Sequence, residues 1–437
     1  MKHPLPLLLQ VLIPCAVAVS VGAGCTRSPD DGAAPTASAI KHLVVIVQEN
    51  HTFDNYFGRY CTAAPGSGPS CQTGPGCCES APANDPGTGS PPVLLTDVEN
   101  AAFSPNHYKD CELAEINGGK MDGFIANKLC GNPRNFAIAP VEVAGPYWQL
   151  AASSALADHY FQPIAGASSA NDMYLARARF VFTDNQVGPE SIGARCGFSG
   201  ERQVYTDQTI GDLLVDHGVT WAFYAEGYDD MAAANQQGKC PAPPASCAFG
   251  VGLYPCIYDP SDIPFQYYAA FVDNPVYMRD LHRLTTDLQQ GTLPAVSYVK
   301  ALGYKSEHPG ADTSITDGTR WVTALVEELL GSQYGATTLI LLVYDEGGGY
   351  FDHLAPPPTS ASDGQPYGTR LPFLAIGPFA RRNHVAHTVL EHSSIVKFIE
   401  WNWLAERTGQ LGNRDVSVNN LGALLDPART GTAVPAS

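Results

Sequence analysis

The sequence predicts an α/β fold in which helices cover both faces of a mostly parallel sheet. Two apolar runs, 43–47 and 339–343, consist only of Val, Ile and Leu and show no alternation with polar residues. Such a run is typical of a strand that is buried on both faces. Other apolar strands alternate along the chain with helical patterns, which is typical of parallel strands joined by crossover helices.

The predicted elements begin near residue 40, where the first apolar strand starts. The helical patterns are Pro146–Ala157, Met173–Phe182, Trp321–Leu330 and Ser393–Leu404. The further strands are Val219–Ala225, Leu293–Lys300 and Leu371–Ile376, in addition to the second apolar run at 339. No internal repeat is present in this order of elements.

Two segments rich in Gly, Pro and Cys, at about 61–92 and 227–264, are predicted to be surface insertions. Of the 12 cysteines, Cys15 and Cys25 belong to the N-terminal region, which leaves an even number of ten. Disulfides of an exported protein explain such a set. A zinc–thiolate site is the competing interpretation, but no paired Cys-x-x-Cys set with suitable spacing occurs.

The N-terminal residues 1–25 have the pattern of an export signal. Lys2 precedes the apolar stretch Pro4–Val21, and the small residues Gly22–Gly24 precede Cys25. We expect a lipoprotein type with Cys25 as the lipidated residue, with ordinary cleavage nearby as the alternative. Residues 26–39 form a flexible tether, and a single domain follows from 40 to 437. The expected location is the bacterial cell envelope or the extracellular space, with membrane attachment only through this anchor.

Charge and composition limit the partners of the chain. The 437 residues include 44% hydrophobic and 16% charged residues, which is enough for a large buried core. The formal net charge of −18 argues against a nucleic-acid partner and against electrostatic docking on anionic lipid. An anionic substrate would therefore need a local positive centre, most simply a metal ion.

Polar pairs follow both apolar strands. Glu49 and Asn50 come after the first strand, and Asp345 and Glu346 come after the second. Ligands of parallel sheets bind beyond the carboxyl ends of the strands, and hard oxygen donors suit a divalent cation. The ion would be calcium, or a transition metal if a histidine joins the ligands. One such pair could merely cap a helix, but two pairs followed by turn residues favour a metal site.

Residues Gln48–Gly58 resemble the opening signature of the bacterial phosphoesterase family that includes phospholipases C and acid phosphatases. Further matches follow in the family's order, at 119–124, 307–309, 344–348, 351–353 and 368–372. The resemblance covers about Lys41–Trp403. It implies a three-layer α/β/α sandwich of the alkaline-phosphatase-like superfamily, a hydrolase acting on phosphoric ester bonds, and a metal-activated hydroxyl nucleophile.

The segment Gly166–Asn171 matches the part of this family that carries the nucleophile. Alanines replace both prolines of the family pattern, and Asp172 stands where a basic residue is common. The register of Gly166 and Asn171 favours Ser168 over Ser169 as the nucleophile. A cation held by the acidic pairs would lower the pKa of this hydroxyl. The alternative is that Ser168 only caps the helix that follows.

The resemblance also implies catalytic histidines at His308, at His353 and, more loosely, at His107. Imidazole can bind phosphoryl oxygens or protonate a leaving alkoxide, because its pKa lies near neutral pH. The remaining histidines of interest are assigned structural roles: His51, His384, His387 and His392.

The predicted function is an exported, metal-dependent phosphoesterase of the phospholipase C or acid phosphatase type. Its substrate would be a phosphate ester, with phospholipid among the candidates. A serine hydrolase of carboxylic esters is a second hypothesis, but 166–170 lacks the closing glycine of a Gly-x-Ser-x-Gly elbow. The third is a non-catalytic, disulfide-rich surface lipoprotein, which would be free to lose Ser168 and the acidic pairs.

Overall fold

The computed structural model describes residues 34–183, 185, 190–196, 202–247 and 254–437. The predicted signal and most of the predicted tether lie outside the described residues. Ten strands are described: β1 His42–Gln48, β2 Val93–Leu94, β3 Ala137–Ile138, β4 Ala155–Ala157, β5 Trp221–Ala225, β6 Met278–Asp280, β7 Val296–Lys300, β8 Thr338–Tyr344, β9 Phe373–Ile376 and β10 His384–Ala386.

The same residues form thirteen α-helices, several of them a single turn. They are α1 Phe53–Phe57, α2 Asp97–Ala102, α3 Lys109–Ile116, α4 Gly123–Ala126, α5 Val141–Ser153, α6 Ser168–Arg177, α7 Ile210–Asp216, α8 Tyr228–Gln236, α9 His282–Gln290, α10 Ile315–Gly331, α11 His392–Trp403, α12 Arg414–Ser417 and α13 Pro427–Thr430.

Eight strands form one sheet in the order β10-β4-β9-β8-β1-β7-β5-β6. Strand β9 is antiparallel to both β4 and β8, and the other neighbours are parallel. Every residue of β1 and of β8 is buried, so both faces at the centre of the sheet are covered. Helix α5 packs on α10, and α6 packs on α11. The predicted α/β fold with a mostly parallel sheet between helical layers is confirmed.

The two apolar runs of the sequence are adjacent strands. Strand β1 pairs with β8 from His42 opposite Thr338 to Gln48 opposite Tyr344. The two strands are parallel, and Gln48 pairs with Tyr344. Glu49 and Asp345, which follow these residues, therefore lie next to each other at the same edge of the sheet. The polar pairs that are far apart in sequence are thereby brought together by the register of two strands.

Two predicted helices end earlier than their sequence patterns. The pattern Met173–Phe182 is helical only as far as Arg177, because Ala178 adopts a left-handed backbone conformation that ends α6. The apolar run Pro146–Ala157 is helical only as far as Ser153, and Ala155–Ala157 forms β4 between β9 and β10. Three consecutive apolar residues carry no periodicity that separates a helix end from a short buried strand. The pairing of these residues with β9 and β10 makes them a strand.

The ten cysteines outside the N-terminal region all form disulfides. The pairs are Cys61–Cys78, Cys71–Cys77, Cys111–Cys130, Cys196–Cys240 and Cys247–Cys256. This pairing leaves the zinc–thiolate interpretation without free thiols, and it fits an exported protein. Within the described part of the chain, no helix is both long and apolar enough to cross a membrane.

Candidate active site

Glu49, Asn50, Asp345 and Glu346 lie at the carboxyl ends of β1 and β8 and are at most 2% exposed. Asn50 adopts a left-handed backbone conformation with φ of 62°. Its backbone N–H donates to Asp345 Oδ1 at 3.1 Å, and its side-chain Nδ2 donates to Glu346 Oε1 at 3.3 Å. The turn after β1 therefore binds directly to the turn after β8.

Ser168 is the first residue of α6, and its hydroxyl donates to Glu346 Oε1 at 2.8 Å. The helix is capped at Ala167 without any side-chain hydrogen bond, so the serine hydroxyl does not serve as its cap. Asn171 Nδ2 donates to the carbonyl of Gly166 at 2.9 Å and holds the turn before the helix. The structure thus brings the predicted nucleophile to a predicted metal ligand.

The preceding turn requires glycine at residue 166. Gly166 has a φ of 143°, and a Cβ at this position would lie 2.6 Å from Asn185 Nδ2. A larger residue would displace the turn that presents Ser168. Gly166 and Asn171, which set the register of the sequence prediction, therefore both shape this turn.

Three oxygens of the acidic cluster are buried and have no hydrogen-bond partner among the described residues: Asn50 Oδ1, Asp345 Oδ2 and Glu346 Oε2. Burial, followed by the charge of Glu49, raises the pKa of Asp345 well above its usual value. Burial and the charge of Asp345 do the same for the pKa of Glu346. Unpaired buried oxygens are costly, and a divalent cation would satisfy them. These residues therefore fit a metal ion.

Lys300, the last residue of β7, was not predicted to belong to the site. Its Nζ lies 2.8 Å from Glu49 Oε1, 3.5 Å from Asp172 Oδ2 and 3.9 Å from Asp262 Oδ2. Burial alone would raise the pKa of Glu49, but the charge of Lys300 holds this pKa below its usual value. The contacts of Lys300 Nζ with these carboxylates are ion pairs and do not have the geometry of hydrogen bonds.

The pKa of Glu49 is therefore shifted in the opposite direction from the pKa values of Asp345 and Glu346. Tyr254 donates its hydroxyl to Glu49 Oε2 at 2.8 Å, while Lys300 occupies Oε1. Both oxygens of Glu49 thus have partners within the protein, whereas Asp345 and Glu346 each keep one unpaired oxygen. Among the residues that the structure describes, the ammonium of Lys300 neutralises Glu49, whereas no Lys or Arg forms an ion pair with Asp345 or Glu346.

Two of the predicted histidines lie close to this cluster. His107 Nε2 is 3.9 Å from Glu346 Oε1, and the ring centroids of His107 and His308 are 6.0 Å apart. In each histidine Nδ1 faces a backbone carbonyl, that of Pro105 or Pro309, so Nδ1 carries the proton. Burial lowers the pKa of His107 to about 4, and burial also lowers the pKa of His308.

A buried carboxyl group holds the loop that carries His308. Glu307 accepts hydrogen bonds from the hydroxyls of Tyr56, Tyr147 and Tyr344, and its pKa is raised to about 7 by burial. A Cβ added at Gly318 would lie 2.1 Å from Glu307 Cγ, so helix α10 passes close by. Glu307 therefore has a positioning role, and the catalytic candidate of this motif is His308.

His353 lies in a separate charge cluster. Its Nδ1 is 2.8 Å from Asp54 Oδ2, its Nε2 is 3.1 Å from Glu79 Oε2, and Arg370 binds the other oxygen of Asp54. The contacts described for His353 include none to Ser168 or to the four predicted metal ligands. The structure thus places His107 and His308, but not His353, in contact with the acidic cluster or with each other.

A cavity of about 520 Å³ lies beside α8 and α9, and none of the predicted site residues lines it. A second cavity of about 20 Å³ is lined by Glu49 and Lys300 and shares Glu226, Tyr258 and Leu302 with the larger one. The 520 Å³ cavity therefore adjoins the side of the acidic cluster at which Lys300 lies.

Residues 40–405 match the sequence model of the Phosphoesterase family. The chain belongs to the Phosphoesterase family. This membership confirms the resemblance found in the sequence, and it agrees with the expectation of a hydrolase that acts on phosphoric ester bonds. All the residues of the acidic cluster, Ser168 and the three histidines lie within the matched range.

The relatives of this Phosphoesterase family member include bacterial phospholipases C. A non-hemolytic phospholipase C of Burkholderia pseudomallei is 26% identical over 84% of this chain and 55% of its own length. Phospholipase C B of Mycobacterium tuberculosis is 24% identical over 87% of this chain and 77% of its own length. The chain spans about half the length of the Burkholderia protein.

Among solved structures, a protein in the alkaline phosphatase superfamily from Vibrio parahaemolyticus matches with a TM-score of 0.40. The match has 10% identity and covers 90% of this chain and 74% of that chain.

Proposed function

We propose that this protein is a metal-dependent phosphoesterase that attacks phosphate esters with Ser168. The observation that carries the proposal is the 2.8 Å hydrogen bond from Ser168 Oγ to Glu346 Oε1, beside buried oxygens that lack partners. Membership of the Phosphoesterase family supports the reaction class. The names of the relatives favour phospholipid phosphodiesters as substrates over phosphate monoesters.

The cation would be held by Asn50, Asp345 and Glu346, with Glu49 at the edge of the cluster. When bound, such an ion supplies positive charge that lowers the pKa of a nearby hydroxyl and of an attacking water. Glu346 orients the Ser168 hydroxyl and is placed to accept its proton. The backbone N–H groups at the start of α6 are available to the phosphoryl oxygens.

The proposed reaction has two steps. In the first, Ser168 Oγ forms a bond to phosphorus and the bond to one alcohol breaks, so that the phosphoryl group stays on the serine, with the head group still attached if the substrate is a diester. In the second, water attacks this phosphorus and the bond to Ser168 Oγ breaks, which releases the free serine and a phosphate monoester from a diester, or phosphate from a monoester. His308 and His107 present Nε2 without a proton. After taking up a proton there, beside the negative charge of a bound phosphate ester, they hold the phosphoryl oxygens or bring that proton to the departing alkoxide. The chain is proposed to act outside the cytoplasm, in agreement with its five disulfides.

Two serine variants test the nucleophile. Hydrolysis of p-nitrophenyl phosphorylcholine and of p-nitrophenyl phosphate is measured for the wild type, Ser168→Ala and Ser169→Ala. Ser168→Ala should lose several orders of magnitude in kcat, as enzymes do when a nucleophile is removed, while Ser169→Ala should stay near the wild type. Activity retained by Ser168→Ala, or lost only in Ser169→Ala, would contradict the assignment.

Removal of the metal is the second test. Chelation followed by dialysis should abolish hydrolysis, and addition of a divalent cation should restore it. Full activity of a protein shown by elemental analysis to be free of metal would rule out the metal-dependent mechanism. The preferred chromogenic ester distinguishes a choline-type diester from a monoester.

A further inference from the structure

A second cluster of possible metal ligands lies at the carboxyl ends of β4 and β10. These strands are parallel neighbours, and their last paired residues are Ala157 and Ala386. Asp158 and His387 follow directly, and His159 comes next. One donor atom from each of these three side chains lies within 4.8 Å of the others. The sheet thus brings two imidazoles and a carboxylate together at one edge.

The hydrogen bonds of His387 fix which nitrogen carries its proton. Its Nε2 lies 2.7 Å from the carbonyl oxygen of Cys71, which can only accept, so Nε2 carries a proton. Its Nδ1 lies 2.9 Å from Asp158 Oδ2. In the neutral ring, the lone pair of Nδ1 would therefore face a carboxylate oxygen. Only a second proton or a cation at Nδ1 makes this contact favourable.

His159 approaches the same carboxylate. Its Nδ1 lies 2.7 Å from Asp158 Oδ1. The Asp158 side chain is 3% exposed, whereas those of His387 and His159 are 23% and 31% exposed. A buried carboxylate beside two partly exposed rings leaves a route for an ion from solvent.

We propose that Asp158, His159 and His387 bind a transition-metal ion of the Zn²⁺ type. Two imidazoles and one carboxylate are a donor set that such ions prefer, and an open position for water completes the coordination. Metal-bound histidines usually donate their other ring N–H to a carbonyl or carboxylate, as His387 does to Cys71. None of the three residues belongs to the site proposed for Ser168, so this ion is separate from the catalytic one.

The ion would also fix the first insertion to the sheet. Cys71 belongs to the Cys71–Cys77 disulfide, and the backbone N–H of Val385 in β10 donates to the carbonyl of Gln72 at 3.0 Å. With His387 bound to both the metal and the Cys71 carbonyl, the disulfide loop and the strand end become one unit. Metal binding should therefore raise the thermal stability of the protein.

The test counts metal equivalents on the full chain after chelation. Zn²⁺ is titrated calorimetrically into the wild type, into His159→Gln/His387→Gln and into the control His282→Gln. His282 is 65% exposed, and its Nδ1 lies 2.8 Å from Asp280, so the control removes a similar histidine–carboxylate contact. The wild type and the control should bind one more equivalent than the double variant. Hydrolysis of the chromogenic esters should be unchanged in the double variant.

Equal numbers of Zn²⁺ equivalents in the wild type and a folded double variant would overturn the proposal. If the double variant does not fold, the exposed single substitution His159→Gln serves instead. It should weaken one binding step by at least ~10-fold, the lower end of what loss of a metal site's supporting partner costs. No weakening of any step in His159→Gln would equally overturn it. Because these two outcomes are read from metal counts and affinities and not from hydrolysis, failure here leaves the Ser168 proposal untouched.

Discussion

Lys300 Nζ lies 2.8 Å from Glu49 Oε1, and both side chains are almost fully buried at the centre of the acidic cluster. Lys300 ends β7, the neighbour of β1, so the ion pair joins the carboxyl ends of two paired strands. Asp172 Oδ2 also lies 3.5 Å from this ammonium. Lys300 therefore places one positive charge beside two buried carboxyl groups.

Substitution of Lys300 by methionine should strongly destabilise the fold. Without the ammonium, Glu49 and Asp172 would remain buried with no cation, and breaking a buried pair typically costs about 3–5 kcal/mol. The matched control is Lys305→Met, because the pair of Lys305 with Glu226 at 2.5 Å is about a quarter exposed on both sides. A pair with this degree of solvent access should contribute less than the buried pair, about 1 kcal/mol.

The measurement is the free energy of unfolding in denaturant, taken on chelated proteins so that bound metal does not contribute. A loss in Lys300→Met no greater than in Lys305→Met would show that the buried ion pair does not stabilise the cluster. Metal added back to both variants then reports whether a divalent ion can replace the missing ammonium.

His353 should contribute to stability in a pH-dependent way. Burial lowers its pKa, but the charge of Asp54 outweighs this effect and raises the pKa above the ordinary value of 6.5. A raised histidine pKa stabilises the fold fully below about pH 6.5, and the contribution is lost as the pH rises through the folded-state pKa. Burial would raise the pKa of Asp54, but the charge of His353 lowers it below 3.8. The stability that the ionised Asp54 contributes is therefore lost only as the pH falls through this lowered pKa.

The difference in unfolding free energy between the wild type and His353→Asn should thus be largest near pH ~5.5, at about 1–3 kcal/mol, and smaller near pH ~9. The control His282→Asn removes an exposed ring and should change stability by less than about 0.5 kcal/mol. A difference that grows with pH would contradict the assignment of a protonated His353 beside Asp54.

The sequence was sufficient to predict the sheet centre and most of the acidic cluster. Unbroken apolar runs that end in polar pairs predicted β1, β8 and the turns after them. A strand that is buried on both faces is apolar at nearly every position, so its pattern is easy to recognise. The same rule would have found Lys300, since the predicted strand Leu293–Lys300 also ends in a charged residue. The apolar pattern alone marks Lys300 only as the end of a strand.

Other parts of the site depend on long-range contacts without a local pattern. Asp262 lies in the second insertion, and its carboxylate is 3.9 Å from Lys300 Nζ. His353 follows the second acidic strand closely in sequence, yet Asp54 and Glu79 bind both of its ring nitrogens. Closeness in sequence to a site residue does not fix the direction of a side chain. The cluster of Asp158 and His387 likewise arises only from the pairing of β4 with β10.

The histidine assignments can be separated by kinetics. His308→Asn and His107→Asn should each lower kcat by about 10²–10⁴-fold, because a group that binds the phosphoryl oxygens or transfers a proton is lost. His353→Asn, measured where it is fully folded, should stay within a small factor of the wild type. A large loss of kcat in folded His353→Asn, with His308→Asn unaffected, would instead support the original sequence-based role of His353.

The disulfides should differ in their contribution to stability according to the loops that they close. Cys111–Cys130 closes a separation of 19 residues, and Cys71–Cys77 closes only 6. The chain-entropy estimate gives about 3 kcal/mol for the longer loop and about 2 kcal/mol for the shorter. Replacing each pair by two alanines should lower the free energy of unfolding in this order, as measured in denaturant. Peptide mapping without reduction must first show that all ten cysteines are paired, because a free thiol at either position would remove the basis for the comparison.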